Sequence, residues 1–437
     1  MDWPVFLLIL FGSLLLLMVM GIPVAFSFLA VIIVGAPMIW GLGPGMSQVI
    51  LSLSDSLMNF ALLPLPLFIL MGEVVFHSNI APKMIDTLDK WIGRVPGRLS
   101  IMAVAGGALF STLTGTSLAS TAMLGGTLIP EMEKRGYRKP MSVGPILGSG
   151  GLALMIPPSA LAVLLGAIAE ISIGRILIAI IVPGLLIAVL YGGYIIIRCI
   201  FQPSIAPAYQ VDFTPLSEKI IAFTKHILPV GAIIFMVVGV IYAGIATPTE
   251  AAATGALSCF IFSLIQRSLT WDVVKKSMTA TLRITVMVFM IIAGSQIFSQ
   301  ILAYSGAVNG LTEFILGLPT HRVLILLAMQ VVLLLLGMFM NAQSIMMITL
   351  PIFMPVVYAL DFEPVWFAVI YLLNMEMAST TPPFGLALFV MKGVAPKGTT
   401  MADICRAAVP FLLLDAIGMA LIIIFPQMAL WLVQTMG

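Results

Sequence analysis

From Trp3 to Ser54 the chain carries no charged side chain, and apolar runs of this kind return along its length. Val5–Met20 and Ile22–Trp40 read as two membrane spans broken at Gly21-Ile22-Pro23. One unbroken helix of about 36 residues would be about 54 Å long, against a hydrocarbon core of about 30 Å. The runs are continuous, as at Leu14–Leu17 and Val331–Leu336. Transmembrane barrel strands alternate instead, so that class is excluded. Of the 437 residues, 61% are hydrophobic and 9% charged, too few charges to cover a soluble surface. An all-α integral membrane protein is expected. The net charge of +2 gives no nucleic-acid surface, and Cys199, Cys259 and Cys405 lack metal-ligand spacing. The N-terminal run has no basic flank and leads straight into a second run. It is read as the first span, not as a signal peptide.

Met58–His77 reads as a third span. Ala81–Arg98 is amphipathic, with Met84, Ile85, Leu88, Trp91, Ile92 and Val95 on one stripe, and is expected to lie at the interface. Leu99–Pro130 is uncharged and broken at Thr114-Gly115-Thr116-Ser117. Each half is about 22 Å of helix, too short to span. Basic residues flank both ends, Arg94 and Arg98 before and Lys134, Arg135, Arg138 and Lys139 after. A re-entrant helical hairpin with both ends cytoplasmic satisfies both facts, with two short spans as the competing reading. Met141–Ala169 is a span interrupted at Gly148–Gly151 and Pro157-Pro158. Spans follow at Ile176–Ile200, Ile227–Ala246, Ala251–Ile265 and Ile284–Tyr304, with a polar connection at Gln202–His226. A second stripe (Val308, Leu311, Ile315, Leu318), a second uncharged segment (Val323–Leu360) and the spans Pro364–Met391 and Val409–Val433 complete the chain.

An internal repeat runs through this order. The two Pro-Pro pairs, Pro157-Pro158 and Pro382-Pro383, are 225 residues apart. Pro130 meets Pro355 at the same offset, and Thr116 falls opposite Asn341. Five crossings per half make the halves inverted and put both termini in the periplasm. The basic loops expected at Arg267–Arg283 and Lys392–Arg406 then join the cytoplasmic side. Inverted repeats with interrupted helices at matching positions are the signature of a secondary transporter and mark its binding site.

The breaks concentrate oxygen ligands and proline-freed backbone. One sodium site per repeat is expected: Thr114, Gly115, Thr116, Ser117, Gly150, Gly151 and Pro157 in the first, and Gly337, Met338, Asn341, Thr380, Thr381 and Pro382 in the second. Substrate is expected between the hairpin tips, against Thr114, Thr116, Ser117, Asn341, Gln343, Ser379 and Thr380. No Lys or Arg lies in these segments, so an anionic substrate must rely on helix ends, hydroxyls and bound cations. Close helix packing through small residues is the alternative reading of the same Gly, Ser and Thr. Glu73, Glu170 and Glu250 sit near span ends, where a solvated or capping role is expected. Glu376 and Asp415 lie within apolar segments, and Glu376 is read as binding a proton or a cation, or as a structural hydrogen bond. No nucleotide-binding or hydrolase motif is present, and His77, His226 and His321 are scattered near span boundaries. No cofactor is expected apart from coupling sodium. An integral-membrane enzyme using Glu376 would lack a clustered constellation, and a channel does not need two hairpins.

Five segments carry a family resemblance: Leu65–Glu73, Pro130–Tyr137, Ile156–Ser159, Thr247–Ala253 and Thr381–Gly385. Over nearly the whole chain the sequence resembles the large membrane subunit of tripartite ATP-independent periplasmic transporters. The resemblance implies a sodium-driven elevator importing organic acids in a bacterial inner membrane. It also implies two partners, a small four-helix membrane subunit and a periplasmic substrate-binding protein. It implies a mobile body of 99–169 and 324–391, reached by arms at 81–98 and 306–323. The scaffold is then 1–80, 170–305 and 392–437. A stand-alone sodium- or proton-coupled carrier of the same type is the alternative. Against the family pattern, Thr114–Ser117 replaces a Ser-Gly-Ser tip, Asn341 replaces an Asp, and Glu376 stands where an apolar residue is usual.

Overall fold

The computed structural model describes residues 3–78, 80–93, 95–114, 117–207 and 214–436, with 81 and 111–114 described as backbone only. Among the described residues every regular element is helical. The first half opens with α1 (Trp3–Val19), α2 (Val24–Trp40), α3 (Leu42–Leu57), α4 (Pro64–His77) and the arm α5 (Ala81–Ile92). A hairpin of α6 (Arg98–Thr114) and α7 (Ser117–Lys134) follows. α8 (Lys139–Ser142), α9 (Gly144–Gly151) and α10 (Ala160–Ile168) are pieces of one interrupted helix, and α11 (Ile173–Ala179) runs into α12 (Ile181–Phe201). In the second half, α13 (Leu216–Ala222) passes through a π turn into α14 (Leu228–Tyr242). Then come α15 (Pro248–Ile265), α16 (Trp271–Tyr304), the arm α17 (Ala307–Leu316) and the hairpin α18 (Arg322–Gly337) with α19 (Ala342–Ala359). α20 (Pro364–Thr380), α21 (Leu386–Val394), α22 (Met401–Ile424) and α23 (Gln427–Gln434) end the chain.

Seven stretches among the described residues are long and apolar enough to cross a membrane. They are Phe60–His77, Ile173–Phe201, Leu216–Tyr242, Pro248–Ile265, Trp271–Tyr304, Ala342–Ala359 and Met401–Ile424. The chain is a multi-pass membrane protein. Its helix starts follow from local chemistry. Thr247 and Glu250 close a capping box ahead of Pro248, and Thr400 and Asp403 do the same for α22. Glu250 thus has the capping role expected of it. His321 caps α18, accepting from the Val323 N–H at 3.3 Å.

Four boundaries differ from the sequence reading. The sequence reading does not contain α3: up to Ser54 its residues are uncharged like their apolar neighbours, yet Ser52 and Ser56 form a polar face bonded to Gln300 and Gln296, each at 2.7 Å. The polar connection 202–226 is helical from Leu216. The basic stretch 267–283 is helical from Trp271, capped by Thr270. In the stretch 392–406, α22 begins at Met401. Charged residues therefore do not mark the ends of these helices. Along the first arm Met84 and Ile85 are buried, but Trp91 and Val95 are exposed.

Helix boundaries recur at the offset of the Pro-Pro pairs. α7 and α19 begin 225 positions apart and end 225 apart, and α8 and α20 begin 225 apart. Both Pro-Pro bonds are cis and each precedes a short helix, α10 or α21. α2, α3, α4, α15 and α16 pack together: Gly294 receives Phe28, and Ser78 bonds Ser263 at 2.7 Å. α9, α12, α20 and α22 form another set. A Cβ on Gly144 would lie 2.6 Å from the Ala407 carbonyl oxygen, Gly148 faces Phe411 and Tyr191, and Trp366 Nε1 donates to the Ile422 carbonyl at 2.9 Å.

Candidate functional site

The first hairpin breaks between Thr114 and Ser117, and the second between Gly337 and Ala342. Each break frees the N-terminus of an 18-residue helix, α7 or α19. Both N-termini reach one cavity of about 120 Å³. Its polar wall is Ser117 from the first tip, Asn341 and Gln343 from the second, and Ser379 from α20, with Leu154 and Leu161 closing the other side. Four of the residues expected to meet substrate therefore share one space. Gly115 and Thr116, and the side chain of Thr114, lie outside the described residues. Thr380 is buried but does not line the cavity.

The side chains here are held by their own helix ends. Asn341 is the N-cap of α19, its Oδ1 accepting from the Ser344 N–H at 2.8 Å and the Ser344 hydroxyl at 2.7 Å. Ser379, Thr380 and Thr381 donate to the carbonyls of Glu376, Met377 and Met377 at 2.9, 3.1 and 2.7 Å. These hydroxyls keep lone pairs free to accept. α20 ends at Thr380 because Pro382 and Pro383 cannot continue it.

The first break has a feature that sequence reasoning missed. Ser117, Ser120 and Thr121 are buried, and among the described residues their hydroxyl oxygens have no hydrogen-bond partner. A Cβ on Gly150 would collide with Thr121 Oγ1 and lie 3.2 Å from the Ser117 carbonyl oxygen. Glycine at 150 thus brings interrupted α9 against the start of α7, and oxygens with unused lone pairs gather there. Of the first proposed cation set, Ser117 and Gly150 meet. Gly151 sits one step further along and faces Glu376, and Pro157 lies beyond α9. In the second set, Gly337 packs directly on Ala378, one residue before Ser379, while Met338 ends α18 without lining the cavity. The only signal for Ser120 and Thr121 in the sequence is their spacing from Ser117 by three and four residues, which puts all three on one face.

A largely apolar cavity with four polar side chains in its wall, set between two hairpin tips and an interrupted helix of a membrane protein, points to a transporter. Known proteins agree with that class. The family "Tripartite ATP-independent periplasmic transporter, DctM component" matches residues 11–428, and the chain belongs to that family. Among relatives, the C4-dicarboxylate large permease protein of Pseudomonas aeruginosa is 31% identical over 87% of this chain and 87% of its own. The ectoine large permease protein of Halomonas elongata is 28% identical over 97% and 98%. The sialic acid large permease protein of Vibrio cholerae is 29% identical over 94% and 95%. Relatives of this kind are transport permeases, not enzymes. In fold, the chain resembles the YdaH transporter of Alcanivorax borkumensis, with a TM-score of 0.61 at 14% identity over 90% of each chain. MtrF of Neisseria gonorrhoeae gives 0.59 at 16% identity over 89% of this chain and 85% of that one.

Proposed function

We propose that this chain is the large permease subunit of a sodium-coupled importer of organic acids in a bacterial inner membrane. The observation that carries the proposal is the cavity where Ser117, Asn341, Gln343 and Ser379 meet. Two helix N-termini offer free N–H groups to a carboxylate there. Ser117, Gly150 and Thr121 form the first sodium site. Gly337, Asn341, Thr380 and Thr381, with the carbonyls freed by Pro382, form the second. Of the substrates named for relatives, C4-dicarboxylates, ectoine and sialic acid carry a carboxylate and isethionate a sulfonate, which supports an organic acid without choosing a member.

The recurrence of helix boundaries at 225 positions speaks for two repeated halves, and an odd number of crossings in each makes them opposite in orientation, with both termini periplasmic. Transport is by an elevator: the hairpins and interrupted helices, 99–169 and 324–391, move against the helices around α2, α4, α15 and α16. Packing of α12 and α22 on α9 and α20 favours counting those two helices in the moving body, whereas the family resemblance implies a scaffold that includes 170–305 and 392–437. A small four-helix membrane subunit holds the scaffold, and a periplasmic binding protein delivers substrate. The isethionate permease protein DctMQ of Oleidesulfovibrio alaskensis, of which this chain matches 60%, supports a second membrane component.

Reconstitution tests the partner requirement. Liposomes holding this chain and the small subunit, supplied with the binding protein, take up a labelled C4-dicarboxylate, sialic acid or ectoine. The chain alone transports at least about tenfold more slowly. Equal uptake by the isolated chain would establish the stand-alone carrier.

A further inference from the structure

Glu376, Asp415 and Tyr191 take no part in the cavity wall, yet they meet in the interior where α9, α12, α20 and α22 cross. Each is at most 2% exposed. Tyr191 Oη lies 3.4 Å from Glu376 Oε1 and within hydrogen-bond reach of Asp415 Oδ1. Glu376 Oε2 is buried with no hydrogen-bond partner among the described residues. Gly151, equivalent to position 376 at the repeat offset, leaves the space this carboxyl occupies; a Cβ there would lie 2.5 Å from Oε1. Phe411 seals the cluster, its ring centroid 5.1 Å from that of Tyr191.

The ionisable groups facing one another here are Tyr191 from α12, Glu376 from α20 and Asp415 from α22. α9 presents glycines and Ser149. Tyr194, one turn along α12, packs on Phe411 instead of on a carboxylate. Among the described residues no Lys, Arg or His acts on the cluster. Two carboxylates in one buried site cannot both ionise without a countercharge.

Counting protons decides where one must sit. The phenol has a single proton. Given to Asp415, it leaves Oη facing Glu376 as an acceptor, and the donor for that lone pair is a protonated Glu376 carboxyl. Protonation also turns the unpartnered Oε2 from half of an anion into a neutral carbonyl oxygen, a far cheaper group to bury. Three converging side-chain oxygens fall short of the six or so that Ca2+ and Mg2+ gather, which excludes those ions and leaves sodium to the experiment below. We propose that Glu376, Tyr191 and Asp415 form a proton-binding site. Its proton resides on Glu376, which donates to Tyr191, which donates to Asp415. The Ser379 hydroxyl on the cavity wall bonds the Glu376 backbone carbonyl at 2.9 Å, so the site is tied to the segment that contacts substrate.

Infrared difference spectroscopy on the purified full chain in lipid tests this without substrate, partner or gradient, so its outcome is independent of sodium-driven uptake. At neutral pH, with sodium present, the wild-type chain shows a carboxylic-acid C=O stretch that shifts in D2O. Glu376→Gln keeps the neutral shape and removes that band, while Glu313→Gln, on the second arm, keeps it. Tyr191→Phe leaves the band in place but shifts it, because the carboxyl loses its acceptor. This gives a second reading should the Gln variant fold poorly. Identical wild-type and Glu376→Gln spectra in this region, with no shift in Tyr191→Phe, overturn the proposal. A band that emerges only when sodium is removed also overturns it and assigns the site to a cation.

Discussion

Uptake by a chain carrying Ser117→Ala together with Thr121→Val needs at least about tenfold more external sodium for half-maximal rate. Both hydroxyl oxygens are buried without a hydrogen-bond partner among the described residues, and Thr121 Oγ1 and the Ser117 backbone carbonyl meet at Gly150. A hydrogen bond or polar contact to a charged group is worth about 1.5–3 kcal/mol, and about 1.4 kcal/mol is a factor of ten in affinity. Removing a ligand oxygen therefore weakens sodium by roughly tenfold or more, and removing two weakens it further. A purely structural role predicts a different outcome. An unpartnered buried hydroxyl costs stability, so its removal would leave the sodium requirement unchanged and hold or raise the unfolding temperature in sodium-free buffer. A sodium titration of initial uptake rates, read beside thermal unfolding without sodium, separates the two. A sodium requirement that stays within twofold of wild type would exclude Ser117 and Thr121 as ligands.

The second large effect is all-or-none. Arg135 follows α7 and Thr320 precedes α18, and an inverted pair of halves puts these two loops on opposite sides of the membrane. In intact cells, a membrane-impermeant thiol reagent labels Thr320→Cys from the periplasm and leaves Arg135→Cys untouched until the membrane is opened. The three native cysteines lie in helices, two of them buried, and are replaced before labelling. Labelling of both positions from one side would end the inverted arrangement and the counting of five crossings per half on which it rests.

The helix breaks were legible because Gly and Pro interrupt apolar runs for local backbone reasons. Thr114–Ser117 and Pro382-Pro383 stand out in any reading of residue types. The cavity was partly legible for the same reason, since the polar residues at the breaks that line it, Ser117, Asn341, Gln343 and Ser379, are the exceptions in uncharged surroundings. Boundaries that depend on packing were not. α3 buries Ser52 and Ser56 against glutamines some 240 residues away, and nothing local distinguishes it from a loop. Ser120 and Thr121 read as ordinary small residues until Gly150 is seen to bring α9 against them. Likewise, Asp415 and Tyr191 are separated by 224 positions, and only the crossing of α12 and α22 shows that they share a hydrogen bond.

The central claim is that inward sodium movement drives this chain through the cavity between the two hairpin tips. Each sodium entering down about 100 mV releases about 2.3 kcal/mol, so two supply about 4.6 kcal/mol before any concentration gradient is added. About 1.4 kcal/mol corresponds to tenfold, so this is about three decades of accumulation for a neutral solute, less for one carrying negative charge inward. The deciding measurement is uptake of a labelled organic acid into liposomes holding the complete system. An inward sodium gradient is imposed in one arm and an inward proton gradient in sodium-free buffer in the other. Uptake that rises cooperatively with external sodium and stays at background under the proton gradient alone is the predicted result. Equal uptake driven by protons without sodium would contradict the account.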